Sequence, residues 1–256
     1  MILSRRVALG GIQLDELDES IVIRSVDTGV PHETLSAVNR MGGAGQRMTT
    51  QHWETLDVSV RWAMDIPKTD LARRREVFEA VTAWALKAGW LTVSYMTDRR
   101  MYVDKVILPG SGNLWSWTDE FTITFRAYNV PFWQDALPVT TQGNVASGRM
   151  YIDVRGHAQT VLDAEIRNIS GIMIPNLSIS AGGNTLTFTG VNLGGNATLK
   201  IHHGTDGLLR AVIGNTSVYD KISGADDLYA NPGTVAVDFV APRLCRVTLQ
   251  CYGRYC

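Results

Sequence analysis

The sequence predicts a mainly β chain of two domains, and three observations carry that reading. Residues 54–64 and 121–127 alternate apolar and polar side chains with the period of a half-buried strand. Only one stretch, about 69–88, repeats its apolar residues at helical spacing. Beyond residue 148 the chain breaks into eight short strand-like runs separated by turn residues, with no helix among them. The first domain is therefore expected to be β-sandwich-like, with one α-helix and an extended arm or hairpin. The second is expected to be a β-sandwich or jelly roll.

Taken in order, "RRVALGGIQL" and "SIVIRSV" open the chain as short β-rich runs. "VNRMGGAGQRMTTQHW", residues 38–53, has three glycines and few large aliphatics, which predicts a loop or two-stranded arm. In "ETLDVSVRWAM", Leu56, Val58, Val60, Trp62 and Met64 share one face. The helix follows Pro67, with Thr69 as cap and Asp70 in its first turn. Its stripe is Leu71, Val77, Phe78, Val81, Trp84, Ala85 and Ala88, and Gly89 closes it. A hairpin is expected next, with strands at 90–96 and 101–108 and a turn at Thr97–Arg99. "LWSWTDEFTITFRAY" then returns to strand, placing Trp115 and Trp117 on one face, as core or interface.

Pro131 and the aromatic pair Phe132–Trp133 end that strand, and the small polar run "QDALPVTTQGNVASG" reads as a linker. The expected boundaries are 1–134, a linker at 135–147, and 148–256. The later strands are expected at 149–154, 160–167, 175–181, 184–190, 197–203, 208–213, 234–240 and 245–252. "AGGN" at 181–184 is a hairpin turn by its glycines, and "LGGN" at 193–196 has the same form.

Composition narrows the function. The 256 residues are 45% hydrophobic and carry a net charge of −1, so no global basic field draws in nucleic acid or an anionic membrane. The densest basic cluster, "ARRRE" at 72–76, reads as a solvated helix face. No apolar run reaches the roughly 18 residues of a membrane span, and no apolar segment follows the N-terminal arginines as in a signal peptide. Folding in a cytosol is the expectation, and three cysteines do not form a secreted disulfide framework.

The chemistry-bearing residues form no convincing site. His202 and His203, adjacent on a strand, face opposite ways and do not share a metal. Cys245, Val247, Leu249 and Cys251 fall on one face, as buried thiols among aliphatics, and Cys256 adds no zinc-type spacing. Asp163 and Glu165 share a strand face, as a glycosidase pair does, but solvated outer-face residues are the better reading. There is no G-x-S-x-G, and "GGAG" is no phosphate loop. No cofactor or metal is expected. All seven tryptophans lie in the first half, which weakens a sugar-stacking role for the second.

In "GGAGQRMTTQHWETLDVSVRWAM", "LARRREVFEAVTAWALKAGWLTVSYMTDRRMYVDKVIL" and "FTITFRAYNVPFWQ" the order of elements resembles the distal tail protein family of long-tailed, siphovirus-type bacteriophages. Phe125, Ala127, Pro131 and Phe132 match the way its first domain ends. "NLSISAGGNTLTFTG", "ATLKIHH" and "LYANPGTVAVDF" resemble the family's galectin-like sandwich. The resemblance implies a non-enzymatic virion protein at the tail tip, made in the host bacterial cytoplasm. As a homo-hexamer it would join the tail-tube protein to the tail-tip hub, near the tape-measure protein, with DNA only as passing cargo. The outer domain would carry receptor-binding or side-fibre proteins. Interaction residues on this reading are Met41, Arg47, Met48 and His52 in the arm, and Arg126 and Tyr128 on the closing strand. The competing readings are a carbohydrate-binding module for host surface glycans and a glycoside hydrolase.

Overall fold

A computed structural model describes residues 6–31, 33–39, 46–110 and 114–256. The chain forms two compact units, Met1–Trp133 and Gln134–Cys256. Both are built mainly from strands, as expected.

In the first unit the described strands are β1 (Val7–Leu9), β2 (Ile21–Asp27), β3 (Glu33–Asn39), β4 (Gln46–Trp53) and β5 (Leu56–Met64). Helix α1 (Leu71–Ala85) follows, then β6 (Gly89–Val93), β7 (Met96–Val103), β8 (Lys105–Ile107), the short α2 (Leu114–Trp117) and β9 (Glu120–Ala127). One sheet has the order β2-β5-β9-β8, and another contains β1-β6-β7. The alternation of β5 and β9 is realised in register: Trp62 faces Phe121, Val60 faces Ile123, and Val58 faces Phe125. All six are buried. Helix α1 packs on this face through Trp62–Phe78 and Trp84–Phe125 ring contacts, with centroids 6.4 and 5.8 Å apart.

The helix is shorter than its sequence suggests. Asp70, rather than Thr69, caps it by accepting from Arg73 N at 3.1 Å, and it ends at Ala85 because Gly89 already opens β6. Leu71 is exposed, and in its place the buried face contains Arg74. The hairpin turns at Ser94–Tyr95, with Val93 opposite Met96, three residues before the expected turn at Thr97–Arg99. Trp115 and Trp117 lie on α2 instead of on a strand, so they do not share a strand face. The arm is a separate two-stranded sheet of β3 and β4, which begins at Glu33, before the expected residue 38.

In the second unit the strands are β10 (Val139–Val154), β11 (Thr160–Asn168), β12 (Leu177–Ala181), β13 (Asn184–Phe188), β14 (Thr198–His203) and β15 (Leu209–Ile213). They are followed by β16 (Ile222–Gly224), β17 (Tyr229–Ala230), β18 (Gly233–Cys251) and β19 (Arg254–Tyr255). The 19-residue β18 organises the sandwich: residues 237–240 pair with β12, and residues 245–251 pair with β11. β10 runs beside both halves of β18, with a bulge between Val145 and Ser147. Residues 139–147, expected in a linker, are thus an edge strand. An edge strand with one neighbour needs little aliphatic content, so its sequence looks like a loop. One apolar core fills the unit, and Cys245, Val247, Leu249 and Cys251 point into it as the period requires.

Gly182 and Gly183 form the expected two-residue turn between β12 and β13, both at positive φ. "LGGN" does not repeat it. Leu193 bridges to Ile174, and the chain passes on to β14, which pairs with β11 and β15. Asn168 organises this region: its buried amide donates to the carbonyls of Ile172, Leu193 and Gly194 at 2.7–3.1 Å.

Candidate functional site

Of the residues expected to mediate assembly, Met41 lies outside the described residues. Arg47, Met48 and His52 fall on β4, paired along the backbone with Val38, Ala37 and Thr34. Arg126 and Tyr128 lie at the end of β9. Arg126 is committed within its own unit, because it stands opposite Asp57 on β5 and grips both carboxylate oxygens at 2.5 Å. That carboxylate, chiefly, raises the guanidinium pKa above its ordinary value. Asp104 fixes the turn that follows by accepting from Tyr128 N, Asn129 N and Asn129 Nδ2 at 2.7–3.0 Å. Tyr128 is left 40% exposed at this point.

A second feature of the first unit was hidden in the basic run 72–76. Arg75 is solvated and pairs along the helix with Glu79, and Arg73 is half-exposed between Glu76 and Asp18, but Arg74 is fully buried. Its guanidinium donates to the carbonyls of Ile66 and Trp115, each at 2.7 Å, and to Thr118 O, and it meets Asp119 at 3.0 Å. One side chain therefore fastens segment 65–68 to segment 115–120. Between these segments lies an open groove of about 820 Å³, lined by Pro67, Lys68, Trp117 and Asp119 among others. Trp117 is 65% exposed.

In the second unit, sequence reasoning missed the main polar cluster. His203, read as a strand end, is nearly buried between two carboxylates. Its Nδ1 is 2.7 Å from Asp163 Oδ1, and its Nε2 is 2.5 Å from Asp227 Oδ1. Ionised carboxylates only accept, so both ring nitrogens carry protons and the ring is an imidazolium. Burial works against that charge, but the bonds to Asp163 and Asp227 outweigh it and raise the pKa to about 9. Tyr229 lies within electrostatic reach of Asp227, and Arg254 of both carboxylates. Glu165 does not join Asp163; it pairs with Lys200 on the neighbouring strand at 3.1 Å. The arrangement locks strands together, with each carboxylate on its own side of the imidazole ring. Nearby, Asp135 holds the C-terminal segment through Gly253 N and the Tyr255 hydroxyl.

No protein-family model matches the chain. No curated protein matches it in sequence. Among solved structures, it is similar to the SPP1 Dit (gp 19.1) protein, described as a paradigm of the hub adsorption apparatus in phages infecting Gram-positive bacteria. The identity is 15% and the TM-score 0.66, over 98% of this chain and 99% of that one. Two structures of the phage P2 baseplate in its activated conformation, with Ca and with Sr, align at 9 and 10% identity. They cover 97% of this chain and 98 and 97% of theirs, at TM-scores of 0.43 and 0.46. Along nearly its whole length, this chain has the fold of the SPP1 Dit hub protein.

Proposed function

We propose that this chain is a non-enzymatic structural component of a bacteriophage tail tip, a ring-forming hub subunit. The observation that carries this reading is the likeness to SPP1 Dit across 98% of the chain, which takes in both units. A single shared sandwich would be weak support, because sandwiches host many functions. The specific order of helix-bearing β domain, arm and second sandwich is a stronger constraint.

On this reading six copies close into a ring through head-to-tail contacts. The first unit forms the ring between the tail-tube protein and the distal hub, near the tape-measure protein. The second unit carries receptor-binding or side-fibre proteins. The β3–β4 arm supports this assignment. Among the described residues the hairpin pairs with no third strand, and apart from Trp53 against Phe132 at its base such a two-stranded ribbon is marginal in water, so a neighbouring subunit would supply a partner. Arg47, Met48 and His52 on β4, Met41 in the sequence between β3 and β4, and Tyr128 beside Arg126 are the proposed contact residues.

Native mass spectrometry of the full chain tests the proposal. A closed hexamer is expected, and deletion of residues 41–50 should leave folded monomers. A wild-type chain that stays monomeric at every concentration would rule out the ring.

A further inference from the structure

The groove between Pro67 and Trp117 is lined by charged side chains around one exposed indole. Its two walls are tied by buried Arg74, so its shape is set before any ligand arrives. Of the seven tryptophans, Trp62, Trp84 and Trp133 are buried, whereas Trp117 is 65% exposed. Arg24, Asp65, Lys68, Asp119 and Glu120 also line the groove. The carboxylates are held in place by cations: Asp119 by Lys68 at 3.3 Å and Arg74 at 3.0 Å, and Glu120 by Arg61 at 3.1 Å.

These features select a ligand class. The centre of a protein–protein interface is depleted of Lys, Asp and Glu, and here they line the groove. The groove's cations are already matched, Lys68 with Asp119 and Arg24 with Glu120, and of its carboxylates Asp119 and Glu120 are matched while Asp65 adds a single further acceptor, so neither sign of charge dominates the lining. What remains is an aromatic face flanked by fixed acceptors and donors. A pyranose ring has that complement, with C–H bonds on one face for the indole and hydroxyls around its edge for carboxylate and ammonium groups. The volume also falls within the range of ordinary ligand sites.

We infer that the groove lined by Trp117, Lys68 and Asp119 is a binding site for a neutral oligosaccharide. Trp117 stacks on a sugar ring, and Lys68 and Asp119 hold its hydroxyls. The site lies wholly within the first unit.

Saturation-transfer difference NMR on the full chain tests this with cellobiose, lactose, maltose and N,N′-diacetylchitobiose at millimolar concentrations. At least one should receive saturation, and its addition should change tryptophan fluorescence. Trp117→Ala should weaken binding by roughly tenfold or more, and Lys68→Met by a smaller factor. Both residues are largely exposed, so the thermal midpoint should not move. The inference falls if none of the four sugars receives saturation, or if Trp117→Ala binds as well as wild type. It also falls if Trp117→Ala breaks up an assembly that wild type forms, which would make the groove a subunit contact.

Discussion

His203 and Asp227 meet at 2.5 Å through the imidazole Nε2, while Asp163 holds Nδ1 at 2.7 Å from the opposite side. The ring is protonated in the folded protein, with a pKa of about 9 against an ordinary 6.5. A folded-state pKa raised in this way gives stability that is complete below pH 6.5. It is lost as pH rises from 6.5 through 9, and the full difference is on the order of 3 kcal/mol. Thermal midpoints of wild type and His203→Gln should therefore lie far apart at pH 6 and converge by about pH 9.5. A gap that is constant across this window would show that the ring does not lose its proton near pH 9. The His203 Cε1 proton shift, followed by NMR, should titrate near pH 9.

Arg74 is the counterpart in the first unit, and its removal should be costly. Arg74→Leu leaves the carbonyls of Ile66, Trp115 and Thr118 without their donor and takes from Asp119 one of its two cations, leaving Lys68. A loss of about 3 kcal/mol is expected in denaturant unfolding, because a fully buried cation and its bonds to three carbonyls are lost together. Arg74→Lys keeps the charge but not the planar fork, so it should recover only part of the loss. Acrylamide quenching of tryptophan fluorescence should rise in Arg74→Leu as segment 115–120 loosens. Equal stability of all three proteins would mean the guanidinium is dispensable.

The three thiols should separate cleanly by reactivity. Cys245 and Cys251 are buried, and burial raises both pKa values to about 11, so almost no thiolate forms near neutrality. Cys256 is exposed. A chromogenic disulfide reagent should titrate one thiol per native chain quickly and all three in denaturant. Cys256→Ser should abolish the fast phase, and a fast phase that survives it would contradict the burial of the other two.

The contrast between strands and polar clusters explains what was legible in the sequence. β5 and β9 were readable because Leu56, Val58, Val60 and Trp62 must all face one core, and a period of two leaves a local trace. Arg74 was not, since its neighbours Arg73 and Arg75 reach solvent and residue type alone does not distinguish the buried arginine from the other two. Asp163 and His203 are separated by 40 residues and meet only once β11 pairs with β14. The antiparallel register that sets Glu165 against Lys200 and Ala164 against Ile201, extended by one residue, puts Asp163 opposite His202, so strand pairing alone does not point to His203 as its partner. The first half of β10 was lost for the opposite reason, because Val139, Thr141, Gly143 and Val145 alternate too weakly to stand out from a linker, whereas residues 149–154 were expected as a strand.

Gly182 and Gly183 occupy one turn but should respond differently to the same substitution. Both have positive φ, +58° and +86°, so alanine at either position pays about 1 kcal/mol for the left-handed backbone. At Gly183 that is the whole cost, because a Cβ would meet nothing within 4 Å. At Gly182 the new Cβ would lie 2.2 Å from the carbonyl oxygen of Tyr229, closer than any real contact. That carbonyl is backbone, on β17, which pairs with β11 through Tyr229 opposite Val161, so it has little freedom to retreat. Gly182→Ala should therefore lose about 3 kcal/mol or more, and Gly183→Ala only about 1 kcal/mol, in urea unfolding. The strain at Gly182 also pushes on the strand beside Asp227. The His203 titration should then shift from about 9 toward its ordinary value in Gly182→Ala and stay in place in Gly183→Ala. Equal losses in the two variants would show that the Tyr229 carbonyl yields, and that only the backbone conformation of the turn matters.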